Sequence, residues 1–249
     1  MRVGRGRRRL AALALTLVLP GLVSSGCGER TARKSSPKKA VYEGPAKPPE
    51  KLGVDGTTIV VGDTEAPVRV HLYEDPRCPV CQEFEVTGGG PALRTLTQRR
   101  EVKTEYTFAS FLDEKVGGGG SKRAVNALRA ALEAGKFAEY HALLYRHQPA
   151  EAVDGYTNAL LLKLAGKVPG LRGPAFDSAV KTMKYREFVD RSERAFDRAD
   201  ADAPGGLGTP TAVVNGVQMT EEYSGMLFDP KVFTRYLRLM RYQPERWPS

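Results

Sequence analysis

Two cysteines separated by two residues, Cys78 and Cys81, lie between a predicted strand and a predicted helix. The preceding run, residues 68–75, alternates apolar and polar side chains and is rich in β-branched residues, which favours a strand. Residues 82–86 are typical of the first turns of a helix, and Pro79 suits the first helical position because no N–H is needed there. A helix N-terminus offers unpaired N–H groups and a positive dipole end, which stabilise a thiolate. The motif therefore predicts dithiol–disulfide chemistry at Cys78 and Cys81.

The net charge of +9 belongs mainly to the N-terminal segment of the chain. Residues 1–26 contain five arginines and no acidic residue, and residues 27–55 contain seven basic and four acidic residues. These segments carry +5 and +3, which leaves +1 for the residues from Gly56 onward. A nearly neutral folded region offers no basic surface to nucleic acid, so this class of partner is excluded.

Residues 1–26 have the pattern of a secretory signal peptide, with arginines before an apolar run at residues 10–19 and small residues up to Cys27. The run is too short for a membrane-spanning helix, which needs about 20 apolar residues. Residues 23–27 resemble a lipobox, which implies a lipid on Cys27 and a protein held at the outer face of the cell membrane. Ser24 departs from that motif, which usually has leucine there. The alternative is an ordinary signal peptide and a secreted protein.

The number of cysteines agrees with a lipid on Cys27. Three cysteines in an exported chain leave one without a partner. If Cys27 carries a lipid, Cys78 and Cys81 form the only pair. Closing so short a loop removes little entropy from the unfolded chain, so reactivity explains this pair better than stability does.

The rest of the chain is predicted to contain a linker, strands, a hairpin turn and helices. Residues 28–55 are rich in Lys, Pro, Ser and Gly without apolar periodicity, which predicts a flexible tether. Asn215-Gly216 predicts a two-residue hairpin turn. The other predicted elements are a strand at residues 57–61, a second helical stretch at 92–98, a strand at 102–108, helices within 122–201, a strand at 211–214 and a last amphipathic helix from Asp229.

These motifs together resemble the thioredoxin-fold family, specifically its DsbA-like branch, in which a helical domain is inserted into the thioredoxin core. Three features carry the resemblance: the CPVC motif at the strand–helix junction, Gly208-Thr209-Pro210-Thr211 before a strand, and Asn215-Gly216 after it. The segment that contains Thr209 and Pro210 resembles the cis-proline loop of that family. The resemblance implies an α/β thioredoxin fold with a core at residues 56–116 and 205–243, a helical insertion at 117–204 and a C-terminal tail at 244–249.

The resemblance implies a cell-envelope thiol–disulfide oxidoreductase that oxidises cysteine pairs in exported proteins. Cys78 would be the exposed nucleophile with a lowered pKa, and Cys81 the buried resolving thiol. Pro210 would be cis and lie beside the cysteines, and the Thr209 backbone would bind an extended substrate segment. We expect no cofactor and no metal, a membrane partner that re-oxidises the protein, and a monomer, because no separate dimerisation segment is visible.

Two departures leave the direction of electron flow open. Val80 stands where DsbA has a histidine that stabilises the thiolate, and Leu72 stands where many relatives have a buried acid that moves the second cysteine's proton. Glu74 or Asp75 could take over that role, or they could be carboxylates at the end of the strand that face solvent or cap the turn. A thiol reductase or a disulfide isomerase remains an alternative. So does a redox-inert substrate-binding or chaperone-like lipoprotein that keeps only the fold.

The remaining polar residues give weaker predictions. His71 with the two cysteines could form a metal site, but the chain has no second CxxC motif and no Met-rich or His-rich tract. His141 and His147 are six residues apart and do not share one helix face. Acidic residues such as Glu133 and Glu139 are expected on solvated helix faces.

Overall fold

The computed structural model describes Tyr42 and residues 47–242, which belong to one compact unit. The predicted signal peptide, Cys27, residues 28–41 and 43–46 of the tether and the tail at 244–249 lie outside the described residues. Within the described part, none of the helices has the length and apolar content needed to cross a bilayer.

Six strands and ten α-helices follow one another in the described residues. The strands are β1 (Glu50–Leu52), β2 (Ile59–Val61), β3 (Val68–Glu74), β4 (Val102–Phe108), β5 (Thr211–Val214) and β6 (Val217–Gln218). The helices are α1 (Pro79–Val86), α2 (Gly90–Gln98), α3 (Leu112–Lys115), α4 (Gly120–Glu133), α5 (Phe137–Arg146), α6 (Asn158–Ala165), α7 (Pro174–Thr182), α8 (Arg186–Asp202), α9 (Glu221–Ser224) and α10 (Pro230–Tyr242), with a 3₁₀ turn at Gly225–Phe228.

The strands form one sheet in the order β1-β2-β4-β3-β5-β6. β3 is parallel to β4 and antiparallel to β5, with Tyr73 opposite Thr211 and Val70 opposite Val214. Because neighbouring antiparallel strands run in opposite directions, the end of β3 and the start of β5 lie at the same edge of the sheet. This topology brings the loop after β3 to the loop before β5, although more than a hundred residues separate them.

Helices cover both faces of the sheet, and β3 shows why. Its side chains alternate, so Leu72 and Glu74 are fully buried on one face while Tyr73 points to the other. The Tyr73 ring packs on Phe196 of α8, with 6.2 Å between centroids. The helical block predicted at residues 117–204 is present as α4 to α8, and α3 already precedes it.

The Asn215-Gly216 turn closes the β5–β6 hairpin as predicted. Asn215 has φ +51° and Gly216 φ +91°, the left-handed conformations that such a turn requires. The Asn215 N–H donates to the Arg69 carbonyl at 2.9 Å, and the Arg69 N–H donates to Asn215 Oδ1 at 2.9 Å. One asparagine therefore continues the pairing between β3 and β5 by two further hydrogen bonds.

The predicted end of the tether at residue 55 is wrong, because β1 already belongs to the sheet. Glu50 pairs with Val61, and its carboxylate accepts the N–H groups of Phe137 and Ala138 at 2.8 and 2.9 Å. These N–H groups belong to the first turn of α5, where they have no partner within the helix. Three residues of an edge strand are too short to show a periodicity, so no local pattern indicated β1.

Glu50→Ala is expected to destabilise the protein by about 1 kcal/mol, because it leaves two N–H groups at the start of α5 without their acceptor. Urea unfolding would show this as a lower midpoint with an unchanged slope. Lys51→Ala is the matched control, because Lys51 is exposed on the same strand and should change little. Equal midpoints for the two variants would contradict the capping role.

Candidate active site

Cys78 and Cys81 lie where the sequence predicted, at the junction of β3 and α1. Cys78 precedes the first helical residue, with extended backbone at φ −68° and ψ 120°, and Pro79 opens the helix. The Cys78 N–H donates to the Asp75 carbonyl at 3.0 Å, and the Cys78 carbonyl accepts the Gln82 N–H at 3.1 Å. Both cysteines carry free thiols in this structure.

Cys78 has the environment of a stabilised thiolate. The hydrogen bond from the Cys81 thiol is the largest of the effects that together lower the pKa of Cys78 to about 6. Burial opposes this effect, whereas the Thr209 side chain and the backbone N–H groups of Cys81 and Val80 lower the pKa further. These N–H groups are the unpaired donors that a helix N-terminus provides. The helix N-terminus that the sequence predicted is thus one of several groups that lower the pKa of Cys78, and the Cys81 thiol contributes more.

The expectation that Cys78 is exposed is wrong. Only 7% of Cys78 is accessible, and Cys81 is fully buried. The two sulfurs pack in a small apolar cluster with Leu112 and Tyr145, against which Phe111 and Val86 also pack. Val80, in contrast, is 44% exposed at the rim. A substrate sulfur therefore finds only a small part of Cys78 accessible in this structure, next to the exposed Val80 side chain.

The loop before β5 lies against the first cysteine. The peptide bond between Thr209 and Pro210 is cis, as the resemblance implied. The Cys78 thiol donates to the Thr209 carbonyl, with 3.2 Å between sulfur and oxygen. The structure thus brings together Cys78, Cys81, Thr209 and Pro210. Cys27 lies outside the described residues.

Glu74 is buried next to the cysteine pair, so the solvent-facing alternative for this residue is wrong. Its Oε2 lies 2.8 Å from Nε2 of His141, and its Oε1 has no partner among the described residues. Burial raises the pKa of Glu74 to about 8, and negative charge on Cys78 raises it as well. Burial also raises the pKa of Cys81 to well above its ordinary value of 9.0, the interaction with Cys78 raises it further, and Glu74 would do the same when ionised. Glu74 is therefore protonated near neutral pH and electrostatically coupled to both thiols.

Asp75 is also buried, but its hydrogen bonds give it a structural role. Its carboxylate accepts the Ser121 hydroxyl at 2.6 Å and the N–H groups of Arg77 and Leu112 at 2.9 and 3.1 Å. Both oxygens are thereby engaged in holding the loop after β3 against the start of the helical block. Of the two acids that the sequence left open, Glu74 is the one with a free oxygen for proton transfer.

Glu85 completes a buried cluster that the sequence did not reveal. Its Oε2 lies 3.9 Å from Nδ1 of His141, and the Arg94 guanidinium pairs with the same oxygen. Burial, followed by the charge of Glu74, raises the pKa of Glu85 to about 7, whereas burial lowers that of His141 to about 4. Glu85 follows Cys81 by four residues on α1, and this spacing was the signal that could have placed it on the buried face.

Glu74, Glu85 and His141 are also the one group of at least three potential metal ligands that converges within the described residues, with ligand atoms no more than 4.8 Å apart. Within this group Glu74 and His141 share a hydrogen bond, and the Arg94 guanidinium pairs with Glu85. His71 does not join the cysteines. It bonds to the Thr107 hydroxyl at 2.8 Å.

Arg77 fixes the loop that carries Cys78. Its side chain is 2% exposed, and one guanidinium nitrogen donates at 2.8 Å both to Asp113 Oδ1 and to the Gly117 carbonyl. The other terminal nitrogen donates to the Glu151 carbonyl at 2.7 Å. The residue before the nucleophile is thus a buried cation that is bonded to α3 and to two loops of the helical block.

Val80→His is expected to lower the pKa of Cys78 by about one unit, because an imidazolium beside the sulfur stabilises the thiolate. The ultraviolet absorbance of the thiolate as a function of pH measures this shift. Val232→His, on the outer face of α10, is the control with the same substitution at a similar exposure of 41%. An unchanged titration in Val80→His would show that position 80 does not act on the sulfur.

Comparisons with known proteins agree with this geometry. Residues 54–227 match the family model described as thioredoxin. A relative from Rickettsia typhi, provisionally named as a protein-disulfide oxidoreductase, is 26% identical over 174 residues, and the match covers 69% of this chain but only 59% of that protein. Oxidised BdbD from Bacillus subtilis is similar in structure, with a TM-score of 0.61, 18% identity and coverage of 79% of this chain and 99% of BdbD. Reduced DsbG from Mycobacterium tuberculosis has a TM-score of 0.58, 25% identity and coverage of 79% and 88%.

The fold of these solved structures confirms the DsbA-like thioredoxin fold that the three motifs predicted. The family match spans most of the chain, including the cysteine pair, the helical block and the cis-proline loop. On the strength of this match and of the site it contains, the chain belongs to the thioredoxin family.

Proposed function

We propose that the protein is a DsbA-type thiol–disulfide oxidoreductase that acts through Cys78 and Cys81. The observation that carries the proposal is the contact between the Cys78 sulfur, with its pKa lowered to about 6, and the carbonyl of Thr209 before the cis proline. A redox-inert binding protein would have no need of a low-pKa thiol held against this carbonyl.

In the oxidising direction, a substrate thiolate attacks the Cys78 sulfur of the Cys78–Cys81 disulfide. A mixed disulfide forms at Cys78, and Cys81 leaves as a thiolate. The pKa of Cys81 is high, so this thiolate takes a proton, and the Glu74 carboxyl is the buried acid that donates it. The second thiolate of the substrate then attacks the substrate sulfur that is bonded to Cys78. This step releases the oxidised substrate and the Cys78 thiolate.

The low pKa of Cys78 favours oxidation of substrates over their reduction. A stabilised thiolate lowers the free energy of the reduced enzyme and is a better leaving group. Val80 contributes no charge to this stabilisation, so we expect a couple that is less oxidising than one with histidine at this position. A reductase or an isomerase is a second, less favoured function.

We propose that the protein works outside the cytoplasm, on cysteine pairs of exported proteins, and is re-oxidised by a membrane partner. The signal-peptide pattern of residues 1–26 and the lipobox-like sequence ending at Cys27 support this location. A lipid on Cys27 would keep the protein at the outer face of the cell membrane.

The reduction potential of the Cys78–Cys81 pair tests the proposed direction. Equilibration with glutathione redox buffers is expected to give a value above about −180 mV, between those of protein disulfide isomerase and DsbA. The oxidised protein should also transfer its disulfide to a reduced peptide with two cysteines. A potential near about −270 mV, the thioredoxin value, would identify a reductase.

A further inference from the structure

Helix α10 presents a basic face to solvent. Its inward side is apolar and buried, with Phe233, Tyr236, Leu237 and Met240. The opposite side carries four exposed cations, Lys231, Arg235, Arg238 and Arg241, and the helix contains no acidic residue. At 3.6 residues per turn, the first three cations fall on one line along the helix, and the fourth lies beside that line. Within the described part of the chain, only Arg238 of these four forms an ion pair, with Glu101 at 3.4 Å.

Large apolar side chains are exposed on the same face. Leu239 is 51% accessible and Tyr242 is 76% accessible. Both line a groove between α10 and Ala92 of α2, together with Arg235 and Arg238. Leucine, tyrosine and cations with long aliphatic stems suit the boundary between lipid headgroups and acyl chains. The composition of this face therefore fits a membrane surface.

The charge of the folded region is concentrated on α10. The residues from Gly56 onward have a net charge of +1, and α10 alone has +4, so the rest of that region carries −3. Helix α8 shows the contrast, because its four arginines are interspersed with six acidic residues. The near neutrality of the whole region thus hides one basic surface. A local field of this kind attracts an anionic partner.

The predicted tether joins the folded unit beside this face. The Tyr42 N–H donates to the Gln98 carbonyl at 3.0 Å, and the Arg100 guanidinium lies 3.7 Å from the centroid of the Tyr42 ring. Glu101, the next residue, is the partner of Arg238 on α10. Tyr42 follows Cys27 by 15 positions. Even a fully extended chain of this length spans only about 50 Å. A lipid on Cys27 would therefore hold α10 close to the bilayer.

The tether junction and the cysteine pair lie at opposite ends of the sheet. Gln98 ends α2 shortly before β4 begins, and β4 starts beside the first residue of the parallel strand β3. Cys78 follows the other end of β3, and a strand of seven residues is about 20 Å long. Arg238 and Arg241 lie next to Glu101 and thus at the tether end. A surface that touches this end leaves the opening at Cys78 free.

We propose that the outer face of α10 binds the anionic headgroups of the phospholipid membrane that a lipid on Cys27 would enter. The proposal builds on the location proposed above, because that lipid brings the bilayer within reach. The lipid limits the distance between the protein and the membrane, and α10 sets the orientation. The opening at Cys78 then faces away from the bilayer, toward exported proteins in solution. A membrane partner that re-oxidises the pair would need a domain that projects from the bilayer.

The charge of the face also argues against a second copy of the chain as its occupant. In a twofold dimer the same surface of each subunit meets, so four cations would face four cations. Like charges in such an interface are unfavourable. Analytical ultracentrifugation without vesicles should accordingly show a monomer. A dimer that dissociates in a Leu239→Ser/Tyr242→Ser variant would assign the face to a second copy and overturn the proposal.

Binding to vesicles is measured on the chain from residue 28 onward, which contains the whole described unit without the predicted signal peptide or lipid. Co-sedimentation with vesicles of phosphatidylcholine and phosphatidylglycerol is compared with that of pure phosphatidylcholine vesicles. We expect binding only to the anionic vesicles, and weaker binding above about 0.15 M ionic strength, where salt screens the charges. Equal binding to both kinds of vesicle would contradict recognition of anionic headgroups.

The variant Arg235→Gln/Arg238→Gln/Arg241→Gln tests the face itself. A cation near an anionic membrane contributes about 1 kcal/mol, or about fivefold in affinity, so the variant should bind at least about tenfold more weakly. Arg191→Gln/Arg194→Gln/Arg198→Gln on α8 is the matched control, because it removes the same charge from exposed positions that lie among acids. Its affinity should stay close to that of the wild type. Urea midpoints verify that both variants are folded.

Two results of this comparison would overturn the proposal. An equal loss of binding in the two variants would show that net charge decides and not the face of α10. An unchanged affinity in the α10 variant would show that other cations, such as those before Tyr42, carry the binding.

Trp247 provides a direct readout of orientation. It is the single tryptophan of the chain and follows Tyr242 by five residues. Lipids with brominated acyl chains should quench its fluorescence when the protein is bound to vesicles. Bound protein without quenching would place another surface on the bilayer and overturn the proposal. Oxidation of a dithiol peptide in solution needs no vesicle, so its failure would contradict the proposed function and leave these binding measurements interpretable.

Discussion

Cys78→Ser is expected to lower catalysed thiol–disulfide exchange by on the order of 10³-fold or more, to the uncatalysed background, because the variant has lost the sulfur that substrates attack. The serine hydroxyl keeps the shape of the site but forms no disulfide. Reduction of insulin by dithiothreitol and oxidation of a two-cysteine peptide measure the two directions.

Cys81→Ser is the matched control for this experiment. It keeps the Cys78 thiolate but removes the resolving sulfur, so it should form mixed disulfides that persist and are visible on non-reducing gels. Full activity in Cys78→Ser would sink the enzyme hypothesis and favour a redox-inert binding protein. A Cys81→Ser variant without adducts would show that Cys78 is not the attacked sulfur.

Arg77→Met is expected to destabilise the protein by about 3–5 kcal/mol, because it leaves the buried Asp113 carboxylate without its cation. The carbonyls of Gly117 and Glu151 lose their donor at the same time. The free energy of unfolding in urea measures the effect. Arg69→Met is the control, because Arg69 is 47% exposed and its guanidinium lies 3.6 Å from the Glu105 carboxylate. An exposed ion pair of this kind contributes at most about 1 kcal/mol to the free energy of unfolding.

The double variant Arg77→Met/Asp113→Leu separates the loss of an ion pair from the loss of packing. Asp113 also accepts the N–H groups of Ser121 and Lys122 at 2.9 Å, so the double variant loses these hydrogen bonds as well. Because it no longer leaves an uncompensated buried charge, it should still be more stable than the sum of its single variants indicates. If the double variant were as unstable as the sum of its single variants, the ion pair would not be the cause. A small effect of Arg77→Met alone would also contradict this role.

The sequence predicted those parts of the fold that local pattern determines. β3 and β4 alternate strongly enough to give their bounds, β5 is a short run rich in β-branched residues, and the Asn215-Gly216 turn follows from backbone conformations that few residue pairs adopt. The position of Cys78 before a helix followed from Pro79. The meeting of Cys78 with Thr209 was predicted from the family resemblance, because no local pattern connects residues so far apart.

The sequence did not predict features that depend on packing from outside an element. Glu74 and Glu85 are acidic, and acids are mostly exposed, so only the tertiary structure shows that both are buried. β1 forms because it pairs with β2 and because its Glu50 carboxylate accepts N–H groups of α5. Its three residues alone have no sequence pattern that predicts a strand. The low exposure of Cys78 likewise results from side chains contributed by α3 and α5.

Because of Asn215, the chemistry at Cys78 depends on the length of the β5–β6 turn, which lies at the opposite end of β5 from Thr209. Its two hydrogen bonds to Arg69 set how far β5 runs along β3. Deleting or inserting one residue there would favour a shift of β5 by one position, about 3.3 Å, and would turn its buried side chains outward. The Thr209 carbonyl would then move out of contact with the Cys78 sulfur. A change in chain length at a surface hairpin could thus abolish redox activity while the CPVC motif stays intact.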